Sequence, residues 1–203
     1  MSRDGDLSAM ERDALTELVN IAVSGAASRL RAMVGSEVGL TVPVIDILKG
    51  TDATDTVTDL GHDRLVAVRQ GFSGPLAGHT MLVFGEADSA VLARAVLGEA
   101  HAGDYGDLTD ALAEIGNVVL LGFLAMIGSM LSLTFEVTVP TVVTTQPPDL
   151  FPVDQEQVIL VVYMNFNLRQ ISARGYFSLI LSLGSFESLR DIVNAFVEGL
   201  LRE

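Results

Sequence analysis

The stretch "DALTELVN" (Asp13–Asn20) places an aspartate, a glutamate and an asparagine at positions i, i+4 and i+7. The same three residues return at the same spacing in "DALAEIGN" (Asp110–Asn117), 97 positions later. The shift also aligns Ala14 with Ala111, Leu15 with Leu112, Gly25 with Gly122 and Met33 with Met130. It ends on "TVP" at Thr41–Pro43 and Thr138–Pro140, with no gap between. Two copies are too few for a solenoid, where each repeat stacks on like neighbours. The expectation is one pseudo-twofold domain over residues 1–203, made of homologous halves at about 8–100 and 107–203.

Each copy reads as helix, strands, helix. "SAME" (Ser8–Glu11) is a capping-box pattern that opens a helix running to about Met33. "EVGLTVPVIDIL" is extended and rich in β-branched residues. "DRLVAVRQGF" and "LAGHTMLVFG" form a hairpin around Ser73-Gly74-Pro75, and "ADSAVLARAVLG" is a short helix stopped by Gly98. The second copy repeats this with a helix from about Asp107, extended "LTFEVTVPTVVTT", a hairpin of "QVILVVYMNFN" and "ARGYFSLILSL", and a closing helix "SFESLRDIVNAFVEGLL". Residues 98–107 are a turn-rich join, and "TQPPDLFPVD" is a proline-rich loop. The expected fold class is α+β, with one antiparallel sheet packed against two long motif-bearing helices and shorter ones.

Composition narrows the function classes. Hydrophobic residues make up 49% of the 203, so the chain can bury a sizeable core. A net charge of −14, with 12 Lys+Arg and one lysine (Lys49), leaves no basic patch to follow a phosphate backbone, so nucleic acid is not an expected partner. Zero cysteines exclude disulfides and suit a reducing cytoplasm. The polar start "MSRDGDLSAM" lacks the apolar run of a signal peptide. Residues 115–135 carry no charge and are long enough to span a bilayer. Asn117, Ser129 and Ser132 interrupt them, and the nearest cations are Arg94 and Arg169, so no basic flank fixes an orientation. A helix buried on most sides is expected, without membrane insertion.

On a helix, Asp13, Glu17, Asn20 and Ser24 fall within about sixty degrees of arc. Leu15, Leu18, Val19, Ala22, Val23 and Ala26 cluster opposite. In the second helix Asp110, Glu114 and Asn117 form the stripe, with Leu112, Ile115, Val119 and Phe123 opposite. One such stripe is an ordinary solvated helix face, and acids in a first turn suit the helix dipole. Asparagine is harder to dismiss, because it is a poor helix former with no local reason to sit mid-helix.

The pattern D/S-x3-E-x2-N-x22-P occurs as Asp13, Glu17, Asn20, Pro43 and as Asp110, Glu114, Asn117, Pro140. It resembles the motif of the CheC/CheX/FliY family of response-regulator phosphatases from bacterial and archaeal chemotaxis. Length and tandem halves are similar to a CheC-type member. Where members often carry a glycine-rich "NIGxGN" run, this chain has "NIAVSGA", which keeps small residues but puts close backbone approach in question. The resemblance implies a substrate: the acyl phosphate on an aspartate of a CheY-type regulator, which brings its own Mg²⁺ and lysine. The chain needs no cofactor of its own. Asn20 and Asn117 would position the attacking water, since a neutral amide both donates and accepts without repelling phosphoryl oxygens. Glu17 and Glu114 would pair with the regulator's lysine. Asp13 and Asp110 would bind the regulator's surface, and Pro43 and Pro140 would be structural. The alternative is a non-catalytic adaptor that docks the deamidase CheD or a flagellar switch component.

Other constellations are weak. His62, His79 and His101 share no ligand spacing with acids, so no metal site is expected. "GFSGP" (Gly71–Pro75) echoes a nucleophile elbow loosely, with Pro75 in place of the last glycine. Tyr163, Phe166, Tyr176 and Phe177 alternate as core or sheet-face residues.

Overall fold

The structure is a computed structural model that describes residues 7–35, 38–58, 64–97, 105–151, 157–168 and 171–200. Helix α1 (Ala9–Val34) opens on the capping box: Glu11 N–H donates to Ser8 Oγ, and Ser8 N–H donates to the Glu11 carboxylate at 2.6 Å. It ends at Gly35, whose φ of 66° is the left-handed cap that glycine adopts without strain. Then follow β1 (Val38–Lys49), α2 (Gly50–Thr58), β2 (Leu65–Ser73), β3 (Gly78–Gly85) and α3 (Glu86–Leu97). The second half runs α4 (Tyr105–Leu131), β4 (Glu136–Val137), β5 (Thr141–Thr145), a 3-10 turn (Pro147–Asp149), β6 (Gln157–Leu168), β7 (Ile171–Ser182) and α5 (Leu183–Leu200).

The seven strands form one antiparallel sheet in the order β1-β6-β7-β3-β2, with β4 and β5 both pairing with β2. The first strand of each half therefore adds to the hairpin of the other half. At the centre, Thr80 faces Leu179 and Leu82 faces Phe177, two pairs that the 97-residue shift exchanges. This topology is consistent with the duplication read from the sequence.

The sheet buries both faces. Val66, Val68, Phe84, Val162, Phe166 and Phe177 point to the larger core under α1, α3, α4 and α5. The alternate residues Leu65, Ala67, Met81, Val83, Ile159 and Val161 point the other way, beneath Ala53 and Val57 of α2 and beneath Leu150 and Phe151. Here the structure departs from the sequence expectations. Helix α2 was not expected, because "GTDATDTVT" offers only Ala53 and Val57 as an i, i+4 apolar pair. The proline-rich loop is ordered over 147–149 and seals the second face with Leu150 (2% exposed) and Phe151 (3% exposed). Residues 152–156 of that loop and 98–104 of the join lie outside the described residues. The stretch expected to be continuous through Pro140 breaks into β4 and β5 there, since proline offers the ladder no N–H.

α4 is long and apolar enough to cross a membrane, yet it lies mostly buried in the core. It packs antiparallel on α1, with Gly25 against Met126 and Gly122 against Ala26 and Arg29. A Cβ at Gly25 would sit 2.5 Å from Met126 Cε, and one at Gly122 would sit 3.2 Å from Ala26 Cα. Gly116 likewise lets α4 down onto Val68, where a Cβ would be 2.3 Å from Val68 Cγ1. Within "NIAVSGA", Gly25 meets only the Met126 side chain, and the close backbone contact falls at Gly122 with Ala26.

Two stability outcomes follow. Phe123 is 2% exposed, its ring centroid 4.3 Å from that of Phe177. Phe123→Lys should cost at least about 4 kcal/mol, because an unpaired ammonium replaces core packing. A urea midpoint equal to wild type would place α4 elsewhere. Glu11 ties α1 to α5: its Oε1 accepts from Asn194 Nδ2 at 2.8 Å, with Arg190 at 3.9 Å. The Ser8 backbone N–H, then Asn194 and the Ser8 side chain, hold its carboxyl below the ordinary value of 4.5. Its contribution is complete above that value and is lost as pH falls through the folded pKa. Glu11→Ala should therefore destabilise by about 1 kcal/mol at pH 7, and the gap between the two melting curves should narrow progressively as pH falls below 4.5.

Candidate functional site

α1 and α4 carry the repeated triplets on their outer faces. Leu15, Leu18 and Val19 are buried, and this leaves Asp13 and Glu17 exposed and Asn20 half-buried. Leu112, Ile115 and Val119 are buried likewise, leaving Asp110 and Glu114 exposed and Asn117 half-buried. Because the helices run antiparallel across Gly25 and Gly122, the triplets lie toward opposite ends of the pair. At 1.5 Å per residue the two asparagines are roughly 20 Å apart along it. The chain thus presents two separate polar stripes rather than one merged site.

The electrostatics are simple. Among the described residues none of the carboxylates of Asp13, Glu17, Asp110 and Glu114 is in an ion pair. All four are available to an incoming cation. Beyond each asparagine its own helix face turns uncharged and differs between the stripes: Ile21 (40% exposed), Ser24 and Ser28 on α1, and Leu121 (37% exposed) and Ala125 on α4, with the exposed Arg29 of α1 lying against Gly122. Ser24 Oγ and Ser28 Oγ donate back to the carbonyls of Asn20 and Ser24, so neither reaches outward as a donor.

The second stripe has support beneath it. Gln70 of β2 is 1% exposed, and its Nε2 donates to Thr138 O at 2.9 Å and to Asn117 Oδ1 at 3.4 Å. Thr138 is fastened to the same strand, its N–H donating to Gly71 O and its Oγ1 accepting from Gly71 N–H, both at 2.9 Å. The motif's asparagine and the segment leading to Pro140 thereby meet through Gln70. Pro140 sits at the break between β4 and β5. Pro43 lies in β1, where the ladder register shifts between Thr41 and Val44. Pro43 is on the edge strand β1 and Pro140 precedes β5 in the break, two places where a missing N–H is tolerated. Sequence reading passed over Gln70, although a signal was present: it interrupts the inward phase Val66, Val68, Phe72 of a buried strand.

The weaker constellations resolve as core, turn or surface. "GFSGP" is the strand-to-strand turn of the β2–β3 hairpin, with Gly74 at φ 142°, and not the strand-to-helix turn of a nucleophile elbow. Tyr163 packs edge-on to Tyr176, and Phe166 to Phe84. His79 is exposed beside Gly71, its pKa lowered by desolvation and then by Arg69. His62 and His101 lie outside the described residues. No metal-binding group of three or more His, Asp or Glu occurs among the described residues.

No protein-family model matches the chain. The flagellar motor switch phosphatase FliY of Bacillus subtilis is 28% identical over 110 residues, which is 54% of this chain. The match spans only 27% of that relative's length. Among solved structures, Thermotoga maritima FliY superposes with a TM-score of 0.76 at 19% identity, covering 94% of this chain and 98% of that one. The FliM middle domain of H. pylori gives 0.65 at 13% identity over 92% and 99%. CheX of Desulfovibrio desulfuricans gives 0.52 at 19% over 80% and 99%. These structures share the fold, a mixture of helices and one antiparallel sheet. The sequence match to FliY and the twice-present Asp–Glu–Asn–Pro motif make the chain similar to the CheC/CheX/FliY proteins.

Proposed function

We propose that the chain is a cytoplasmic phosphatase that hydrolyses the aspartyl phosphate of a CheY-type response regulator. The observation that carries this reading is the duplicated stripe. An amide sits half-buried one turn from an exposed, unpaired glutamate, once toward each end of the α1–α4 pair. A buried active-site cleft is unnecessary, because the regulator contributes Mg²⁺ and a lysine around the phosphoryl group. What the chain supplies is geometry. Docking brings Asn20 or Asn117 to the phosphorylated aspartate, and the amide holds a water in line with the leaving carboxylate oxygen. Water attacks phosphorus, the acyl P–O bond breaks, and inorganic phosphate and free aspartate result. The glutamate one turn away pairs with the regulator's lysine and sets the register, with Asp13 or Asp110 extending the contact. Pro43 and Pro140 keep their structural role.

A second reading has its own support. The FliM middle domain shares this fold over 92% of the chain, so an adaptor that docks CheD or a flagellar switch component fits the same architecture. Following phosphate loss from phosphorylated CheY-type regulators separates the two, since an adaptor leaves that rate at its spontaneous value.

Replacing Asn20 or Asn117 with alanine should each lower the rate partly, and the double change should bring it near the spontaneous rate. Asn20 is half-buried with no side-chain hydrogen bond among the described residues, so Asn20→Ala should change stability by no more than about 0.5 kcal/mol, whereas Asn117→Ala also removes the bond from Gln70 and should cost about 1 kcal/mol. A fully active double mutant would exclude the amide mechanism. For the glutamates, charge reversal should hurt more than neutralisation: Glu17→Lys with Glu114→Lys repels the regulator's cation, whereas the two Gln changes only remove attraction. Raised salt should narrow the gap in kcat/KM, because exposed pairs are screened. Equal losses at low and high salt would assign the glutamates to shape and not to charge.

A further inference from the structure

We infer that Gln70 is the positioning residue of the Asn117 site, fixing which way that amide faces, and that the Asn20 site lacks such a device. This rests on the phosphatase reading for its consequence, though not for its geometry. Gln70 Nε2 carries two hydrogens: one goes to Thr138 O at 2.9 Å and one to Asn117 Oδ1 at 3.4 Å. A carbonyl only accepts, so Thr138 decides the orientation of Gln70; the flipped amide would set Oε1 against Thr138 O, acceptor to acceptor. With Nε2 so fixed, Asn117 must turn Oδ1 toward it. The Nδ2 hydrogens and the second Oδ1 lone pair then have set directions for a water.

The strands carry Gln70 to one of two neighbouring inward positions in the other site. Arg69 faces Thr141, whose match Val44 faces Tyr163, which gives Met164; Gln70 faces Thr80, whose match Phe177 faces Val162, which gives Val162. Both are fully buried and neither has an N–H donor. Gln70, moreover, carries a stability cost. Its Oε1 is buried with no partner among the described residues, a loss that valine at the same point avoids. A buried amide that leaves its own oxygen unpaired yet aims its nitrogen at the motif asparagine fits a site role better than a packing role.

The test uses the full chain with one site silenced. In the Asn20→Ala background, Gln70→Met should lower kcat about tenfold at unchanged KM for the phosphorylated regulator. In the Asn117→Ala background the same change should leave the residual rate alone. The urea midpoint should not fall, because the orphan oxygen is gone; Met and Val are the residues of the two matching positions, and Gln70→Val serves if methionine packs poorly. Equal losses in both backgrounds, or a loss that tracks unfolding, overturn the inference. A second readout does not depend on turnover: the Asn117 side-chain ¹⁵N–¹H resonances should move on Gln70→Met while those of Asn20 stay. Unmoved Asn117 resonances overturn the positioning role. Moved resonances in a chain without phosphatase activity uphold the role and remove the catalytic reading alone.

Discussion

The close antiparallel contact of α1 and α4 at Gly25 and Gly122 is the constraint on which the rest of the structure depends. A Cβ at Gly122 would press on Ala26 and Arg29, and one at Gly25 on the end of the Met126 side chain, so these glycines favour so close an approach. The contact fixes which faces turn inward. Leu15, Leu18 and Val19 on one helix and Ile115, Val119 and Phe123 on the other are committed to the core. The polar stripes are left outward as a geometric remainder. The antiparallel direction then separates the two asparagines toward opposite ends, which makes two sites instead of one.

The sheet enforces the same arrangement from below. β1 pairs with β6, and β5 with β2, so each half completes its sheet only with strands of the other. Half of the chain alone would expose the inward phases of its hairpin and the edge to which the exchanged strand binds. Folding should therefore couple the halves into one cooperative unit. The motif prolines interrupt exchanged edge strands where ladder pairing is weakest.

Much of this was legible in the sequence because it depends on period and punctuation. The stripe Asp13–Glu17–Asn20 and its buried opposite face follow from 3.6 residues per turn. The "SAME" cap and the hairpin around Ser73-Gly74-Pro75 are local signals, and local signals survive into the fold. What was not legible depends on neighbours distant in sequence. α2 has an apolar pair too sparse to announce itself, and it is held by the second face of the sheet. Leu150 and Phe151 read as loop residues until that face needs a cover. Gln70 is visible as a polar residue in the wrong phase of a strand, but its partners Asn117 and Thr138 are 47 and 68 residues away. No periodicity could have supplied them.

The two copies differ where their neighbours differ. Val19 corresponds to Gly116, and the structure gives the reason: α4 descends onto Val68 so closely that any Cβ would collide, whereas Val19 is ordinary buried packing. Gln70 likewise has only apolar residues, Val162 and Met164, at the matching inward positions of the other half, a polar support under one helix and an apolar one under the other. The outward faces diverge too, with Ser24 against Leu121 and Ser28 against Ala125. Against this background the packing under the helices does not account for Asp and Glu in both copies, since that packing is not the same. Exposed carboxylates with no partner in the chain add little to stability in either copy. Under the proposed function, what keeps them alike lies outside the folded chain, in a regulator that meets both ends of the helix pair with the same chemistry.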